Sequence, residues 1–151
     1  MRVWFSGNSS TGSGGGISID THGTAVFDGT LFQDNSALVG GAVYWQNAGY
    51  RKLAGTPSAL TITNARFVNN SGNTGGALYI DVDPGQPLVT RIDQSLFERN
   101  LARQGSGGAI VFRSGSDFAG AGYSIDLTIT NSSFIANESL DFPLFEDIRE
   151  K

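Results

Sequence analysis

The stretch Phe67-Val68-Asn69-Asn70-Ser71-Gly72-Asn73-Thr74-Gly75-Gly76-Ala77-Leu78-Tyr79-Ile80 decides the fold. It joins a Phe-x-x-Asn segment to a Gly-Gly-Ala segment and an apolar strand. The same order recurs at Phe32, Asn35 and Gly40-Gly41-Ala42, and at Phe97, Asn100 and Gly107-Gly108-Ala109. A looser copy begins at Phe5, and a half-copy with Phe134 and Asn137 follows the last full one. Self-similarity at intervals of about thirty residues indicates a stacked-repeat architecture.

Each copy contains two apolar strands. Before the Phe residue, apolar and polar residues alternate, as in Leu60-Thr61-Ile62-Thr63, and this alternation is typical of a half-buried strand. The strand after the glycines alternates in the same way. The predicted inward positions are Phe27, Ile62, Ile92 and Ile129 in the first strand, and Ile17, Ile19, Val43, Trp45, Leu78, Ile80, Ile110 and Phe112 in the second.

One such repeat cannot bury its own apolar face, so successive copies are expected to stack as parallel coils around one core. We therefore predict an all-β fold, a right-handed parallel β-helix of about four to five coils. The residues given a structural role are the Phe residues of an internal stack (Phe32, Phe67, Phe97, Phe134) and the Asn residues of a ladder at a bend (Asn35, Asn70, Asn100, Asn137). The paired glycines fit a corner of positive φ or of close approach to the next coil.

The chain divides into repeats over residues 1–140 and a predicted capping helix over residues 141–151. Pro143 near the start of that segment, and Leu144, Phe145 and Ile148 on one side of it, are typical of a short amphipathic helix. Because the first coil begins in mid-repeat, we expect the C-terminal part of a longer solenoid. We expect it to be a monomer or to associate end to end through the open N-terminal coil.

Charge and composition exclude several classes of function. The net charge is -4 with acids and bases scattered, so no basic face invites nucleic acid. No apolar run approaches the roughly 20 residues needed to span a bilayer. The chain has no cysteine, which rules out a disulfide framework and leaves the compartment open.

The motif pair Phe-x-x-Asn and Gly-Gly-Ala-(Ile/Leu/Val) resembles the repeat of chlamydial polymorphic outer-membrane proteins and related bacterial surface proteins with a right-handed β-helix. Three full copies carry the resemblance, with an imperfect first copy at Gly14-Gly15-Gly16-Ile17. The resemblance implies a secreted or surface-displayed β-helix with an adhesive role, often the passenger of an autotransporter. Met1-Arg2-Val3-Trp4-Phe5 is too short for a signal peptide, so a targeting signal is expected outside this chain.

Outward positions of the strand after the glycines form two predicted columns. One contains Ser18, Tyr44, Tyr79 and Val111, and the other contains Asp20, Gln46, Asp81 and Arg113. Tyrosine offers an apolar ring and a hydroxyl, and neighbouring amide or charged groups suit contact with a sugar or a protein. The candidate binding residues are Tyr44, Gln46, Tyr79, Asp81 and Arg113. Ordinary packing of an outer face under a long loop explains the same pattern equally well.

An enzymatic alternative depends on acidic residues. Asp81 and Asp83, with Arg91 and Arg113 as bases, are similar to the acidic calcium-binding clusters of polysaccharide lyases on this fold. Two carboxylates are few for calcium, and His22 has no serine or cysteine partner. We therefore predict a non-catalytic surface or adhesion module without cofactor or metal, which binds carbohydrate or a host-surface protein. A fragment of a β-helical polysaccharide lyase or glycoside hydrolase is the alternative.

Overall fold

A computed structural model describes residues 3–20, 23–47, 58–82, 87–114 and 125–140. All regular secondary structure in these ranges is β-strand, and every strand pair in them is parallel. The prediction of an all-β parallel β-helix is confirmed. The predicted capping helix at 141–151 lies outside the described residues.

The strands, numbered in chain order, form four parallel sheets. Sheet I contains β1 (Trp4–Ser6), β4 (Leu31–Gln33), β7 (Arg66–Val68), β11 (Leu96–Glu98) and β15 (Ser133–Ile135). Sheet II contains β8 (Ser71–Gly72), β12 (Leu101–Ala102) and β16 (Glu138–Ser139). Sheet III contains β2 (Ile17–Asp20), β5 (Val43–Asn47), β9 (Leu78–Val82) and β13 (Ile110–Ser114). Sheet IV contains β3 (Thr24–Asp28), β6 (Ser58–Thr63), β10 (Leu88–Asp93) and β14 (Ile125–Thr130).

The Phe-x-x-Asn segment is part strand and part bend. Each Phe lies at the centre of a three-residue strand of sheet I, as in Arg66–Val68. The bend comes two residues after the Phe, where Asp34, Asn69 and Arg99 have φ values of 54°, 54° and 52°. Parallel pairing with the next coil holds the Phe backbone extended, so the left-handed residue beside the Asn makes the turn.

The Phe side chains form one stack through the core. Phe67 is fully buried, with its ring centroid 4.7 Å from that of Phe32 and 4.6 Å from that of Phe97. The stack continues to Phe5 and to Phe134, with interplanar angles of 12° or less throughout. Identical register between coils, Phe32 opposite Phe67 and Phe67 opposite Phe97, sets this geometry.

The Asn side chains form a ladder parallel to the Phe stack. Asn70 Oδ1 accepts hydrogen bonds from the backbone N and the Nδ2 of Asn35, at 3.1 and 3.0 Å. Its Nδ2 donates to Asn100 Oδ1 and to the carbonyl oxygen of Phe32, both at 3.0 Å. Each amide therefore links three successive coils. Because Asn35, Asn70 and Asn100 are almost fully buried, every one of these bonds offsets the cost of burying a polar group.

The two glycines of each pair have different tasks. Gly75 takes a φ of 66°, which favours glycine, whereas Gly76 lies against the neighbouring coil. A Cβ at Gly76 would lie 2.0 Å from the carbonyl oxygen of Gly108, which leaves no room for a side chain. The first glycine of the pair therefore meets the expectation of positive φ, and the second meets the expectation of close approach to the next coil.

The coil at the C-terminal end leaves apolar side chains open. Leu127, Ile129 and Phe134 occupy inward positions of the last coil, yet they are 42%, 42% and 45% exposed. The equivalent Phe67 is fully buried, because it has a coil on either side. Position along the solenoid therefore decides how much each repeated residue contributes to stability.

Phe67→Ala should lower the free energy of unfolding by about 3–5 kcal/mol, since it deletes a buried ring from the middle of the stack. Phe134→Ala is the matched control, because the same repeat position is 45% exposed at the end of the stack. Denaturant unfolding followed by circular dichroism measures both. Equal losses at the two positions would contradict the stacked core.

Candidate functional site

The outer face of sheet III brings the candidate binding residues together. Tyr44 lies opposite Tyr79 in the strand register, and Gln46 lies opposite Asp81. On the next strand Arg113 lies opposite Asp81. Because facing residues of neighbouring strands are about 4.8 Å apart, the two columns form one strip across successive coils.

The aromatic part of this strip is packed on itself. The rings of Tyr44 and Tyr79 stack with centroids 5.7 Å apart and an interplanar angle of 18°. Tyr79 is only 6% exposed, which corrects the expectation that it offers an open aromatic surface. Its ring lies against the bare backbone of Gly75, where a Cβ would come within 3.3 Å of Tyr79 Cδ2. Tyr44 is half-buried and is the tyrosine of this pair that a ligand can reach.

The polar part of the strip is internally bonded. The hydroxyl of Tyr44 donates to Gln46 Oε1 at 3.1 Å. The hydrogen bond with Tyr79, together with the nearby charge of Asp81, raises the pKa of Arg113. Arg113 itself is exposed, so its guanidinium is open to solvent.

Charge and burial act on Tyr44 in the same direction. Partial burial raises the pKa of the Tyr44 hydroxyl, and the carboxylate of Asp81 raises it further. The hydroxyl therefore stays protonated and acts as a hydrogen-bond donor over the physiological pH range. The strip carries hydroxyl, amide, carboxylate and guanidinium groups, which are able to form hydrogen bonds and ion pairs.

The described residues of the enzymatic alternative lie on two different sheets. Arg113 pairs with Asp81 across sheet III, but Arg91 lies on sheet IV between Thr61 and Thr128. Asp83 and His22 lie outside the described residues. Within the described ranges no group of three or more His, Cys, Asp or Glu residues could hold a metal ion.

Sheet IV carries a repeated polar arrangement that sequence analysis missed. Asp28 Oδ1 accepts hydrogen bonds from Thr63 Oγ1 at 3.2 Å and from Asn64 Nδ2 at 3.1 Å. Two coils further on, Asp93 Oδ1 is bound in the same way by Thr130 and Asn131, at 2.8 and 2.9 Å. We call these the aspartate clamps. The sequence signal for the clamps lies at the ends of the sheet IV strands, where an Asp on one coil alternates with Thr-Asn on the next.

A second overlooked feature is the outward column of sheet I. The residue before each Phe faces solvent, and in the first three coils it is Trp4, Leu31 and Arg66, in register. Aligning the copies on their Phe residues would have placed these side chains in one line. The variety of residue type at that position hid the column.

Comparison with known families gives one match. Residues 5–20 match the Chlamydia polymorphic membrane protein repeat. This is the looser first copy, from the first Phe to the end of β2. Comparisons with curated proteins and with solved structures give no match.

No helix in the described part of the chain is long and apolar enough to cross a membrane.

The aspartate clamps should make stability depend on acid pH. Hydrogen bonds from Asn64 and Thr63 lower the pKa of Asp28, and those from Thr130 and Asn131 lower that of Asp93. A carboxylate with a lowered folded-state pKa stabilises the fold above the unfolded value, here 3.8, and that contribution is lost as the pH falls through the folded value.

The denaturant midpoint should therefore decline as the pH falls below 3.8. It should decline less in a double variant with Asp28→Asn and Asp93→Asn. Asp126→Asn is the matched control, since Asp126 is an exposed aspartate of sheet IV outside the clamps. An unchanged pH profile in the double variant would show that the clamps contribute nothing.

Proposed function

We propose that this chain is a non-catalytic recognition module of a surface or secreted protein. It binds a carbohydrate or a host-surface protein through the outer face of sheet III, and it uses no cofactor. The observation that supports this most is the strip itself, in which Gln46, Asp81 and Arg113 lie in register on three neighbouring coils, with Tyr44 two residues before Gln46. The match to a repeat of a membrane protein family adds support for display at a surface.

A rigid strip of this kind suits an extended ligand. Parallel pairing fixes the spacing of the side chains at about 4.8 Å per coil, so little freedom is lost when a ligand binds. The half-buried ring of Tyr44 offers an apolar face, and exposed Arg113 offers a planar fork for an acidic or hydroxyl group. Asp81 beside it accepts hydrogen bonds from hydroxyl or amide groups. Saccharides and extended peptides both present such groups.

The same contacts argue against catalysis at this place. A lyase or hydrolase needs an acid and a base that converge on one bond, with separate pKa values. In the strip, Arg113 is engaged with Tyr79, and the hydroxyl of Tyr44 is bonded to Gln46. Arg91, the second base of the enzymatic alternative, lies on another sheet. These groups hold each other in position and leave no poised acid–base pair.

The test is binding to a glycan array and to a panel of host-surface proteins, followed by titration of the hits against variants. Arg113→Ala and Tyr44→Ala should each weaken binding by about fivefold or more, the loss expected for truncating a contact worth ~1 kcal/mol. Tyr79→Phe keeps the stack, removes the hydroxyl that orients Arg113, and should give a smaller loss.

Arg91→Ala is the matched control, an exposed arginine on the outer face of sheet IV. It should leave binding unchanged. Turnover of a uronate polymer, abolished by Asp81→Asn, would replace this proposal with the enzymatic one. Binding that Arg113→Ala and Tyr44→Ala leave intact would place the site elsewhere.

A further inference from the structure

A cleft lies on the outer surface where sheets IV and I meet. Its volume is about 350 Å³, and it is lined by Trp4, Gly29, Thr30, Leu31, Asn64 and Arg66. The lining comes from three successive coils. None of these residues belongs to the strip on sheet III, so the cleft is a separate feature.

The strand register gives the cleft two walls and a floor. Trp4 pairs with Leu31, and Leu31 pairs with Arg66, so the three side chains lie in one outward column. Trp4 and Arg66 are two strand spacings apart, about 9.6 Å. Half-buried Leu31 lies between them. The cleft volume of about 350 Å³ lies within the range of roughly 300–1,000 Å³ that is typical of small-ligand sites, so its size suits a single sugar unit.

The tryptophan wall is open to solvent. Trp4 is 69% exposed, whereas Trp45, the other tryptophan of the chain, is 1% exposed within the core. An exposed indole costs solvation free energy that a bound apolar face recovers. The axial C–H face of a pyranose is such a surface.

The arginine wall carries a charge that no described residue neutralises by an ion pair. Arg66 is exposed, and no ion pair joins it to another residue in the part of the chain that the structure describes. A guanidinium binds carboxylate and sulfate groups through two parallel N–H donors. Thr30 and Asn64 add a hydroxyl and an amide to the lining.

Asp28 places a carboxylate beside the cleft. It adjoins Gly29 in the chain, and its Oδ1 accepts a hydrogen bond from Nδ2 of Asn64, a lining residue. Its negative charge opposes that of an anionic ligand, so removing this charge should not weaken the binding of an anion.

We propose that this cleft binds a pyranose unit that carries a carboxylate or a sulfate. The indole of Trp4 stacks on the apolar face of the sugar ring, Leu31 lies beneath it, and Arg66 pairs with the anionic group. The site is independent of the sheet III strip. One polysaccharide could bind the cleft through one of its sugar units and the sheet III strip through another.

Intrinsic fluorescence tests this directly, because Trp4 is the tryptophan in contact with solvent. The probes are oligogalacturonate for the carboxylate, sulfated dextran oligosaccharide for the sulfate, and a neutral maltooligosaccharide. At least one anionic probe should change the fluorescence saturably, protect Trp4 from acrylamide quenching and bind more weakly at high salt. The arm that responds identifies which anion is recognised.

Variants separate the walls of the cleft. Trp4→Ala and Arg66→Gln should each weaken binding of the anionic probe about tenfold or more. Binding to the Trp4→Ala variant is measured by calorimetric titration. Asp28→Asn should leave the affinity for that probe equal or increase it. The matched controls are Arg91→Gln and Leu38→Ala, which alter an exposed arginine and an exposed leucine elsewhere and should change nothing.

Three outcomes would overturn the proposal. The first is the absence of a saturable response to either anionic probe. The second is equal affinity for the neutral and anionic probes, with the affinity unchanged by Arg66→Gln. The third is binding of an acidic peptide such as polyglutamate when none of the saccharide probes binds. None of them bears on the sheet III strip, which Tyr44→Ala and Arg113→Ala test separately.

Discussion

The asparagine ladder is the interaction on which the rest of this structure depends. Each buried amide accepts two hydrogen bonds from the preceding coil and donates to both neighbours, so the rise and the register between coils are fixed together. A slip of one residue would leave buried donors and acceptors unpaired, which costs about 1–3 kcal/mol for each group. The Phe stack and the close approach of Gly76 to Gly108 both need that register.

A core fixed from within leaves the outer faces free to vary. Inward positions repeat as Phe, Asn and aliphatic residues, whereas outward columns read Tyr44, Tyr79 and Val111 on sheet III, and Trp4, Leu31 and Arg66 on sheet I. Side chains in a column are placed by the backbone and need no loop to orient them. A solenoid of few coils can therefore present different sets of side chains on different sheets, as both proposed binding sites require.

Sequence alone could predict the features that repeat. The Phe, Asn and glycine positions are periodic, so their burial and their partners on the next coil follow from stacking. Features that depend on the identity of one outward residue could not be predicted in this way. Tyr79 has the same pattern as Tyr44, yet it is buried, because the ring of Tyr44 covers one face and Gly75 gives it room to lie flat. The cleft beside Trp4 escaped notice because its walls come from positions of differing residue type.

The most direct test of the ladder is to remove one amide from its middle and one from its end. Asn70→Ala deletes four hydrogen bonds, so the buried backbone N–H of Asn35 loses its acceptor and the Phe32 carbonyl loses the Asn70 donor. Asn8→Ala deletes one side-chain bond at an exposed position. By equilibrium denaturation, Asn70→Ala should lower the free energy of unfolding by about 3 kcal/mol or more, and Asn8→Ala by about 1 kcal/mol or less. Equal, small losses at both positions would show that the coils are held in register by apolar packing and not by the ladder.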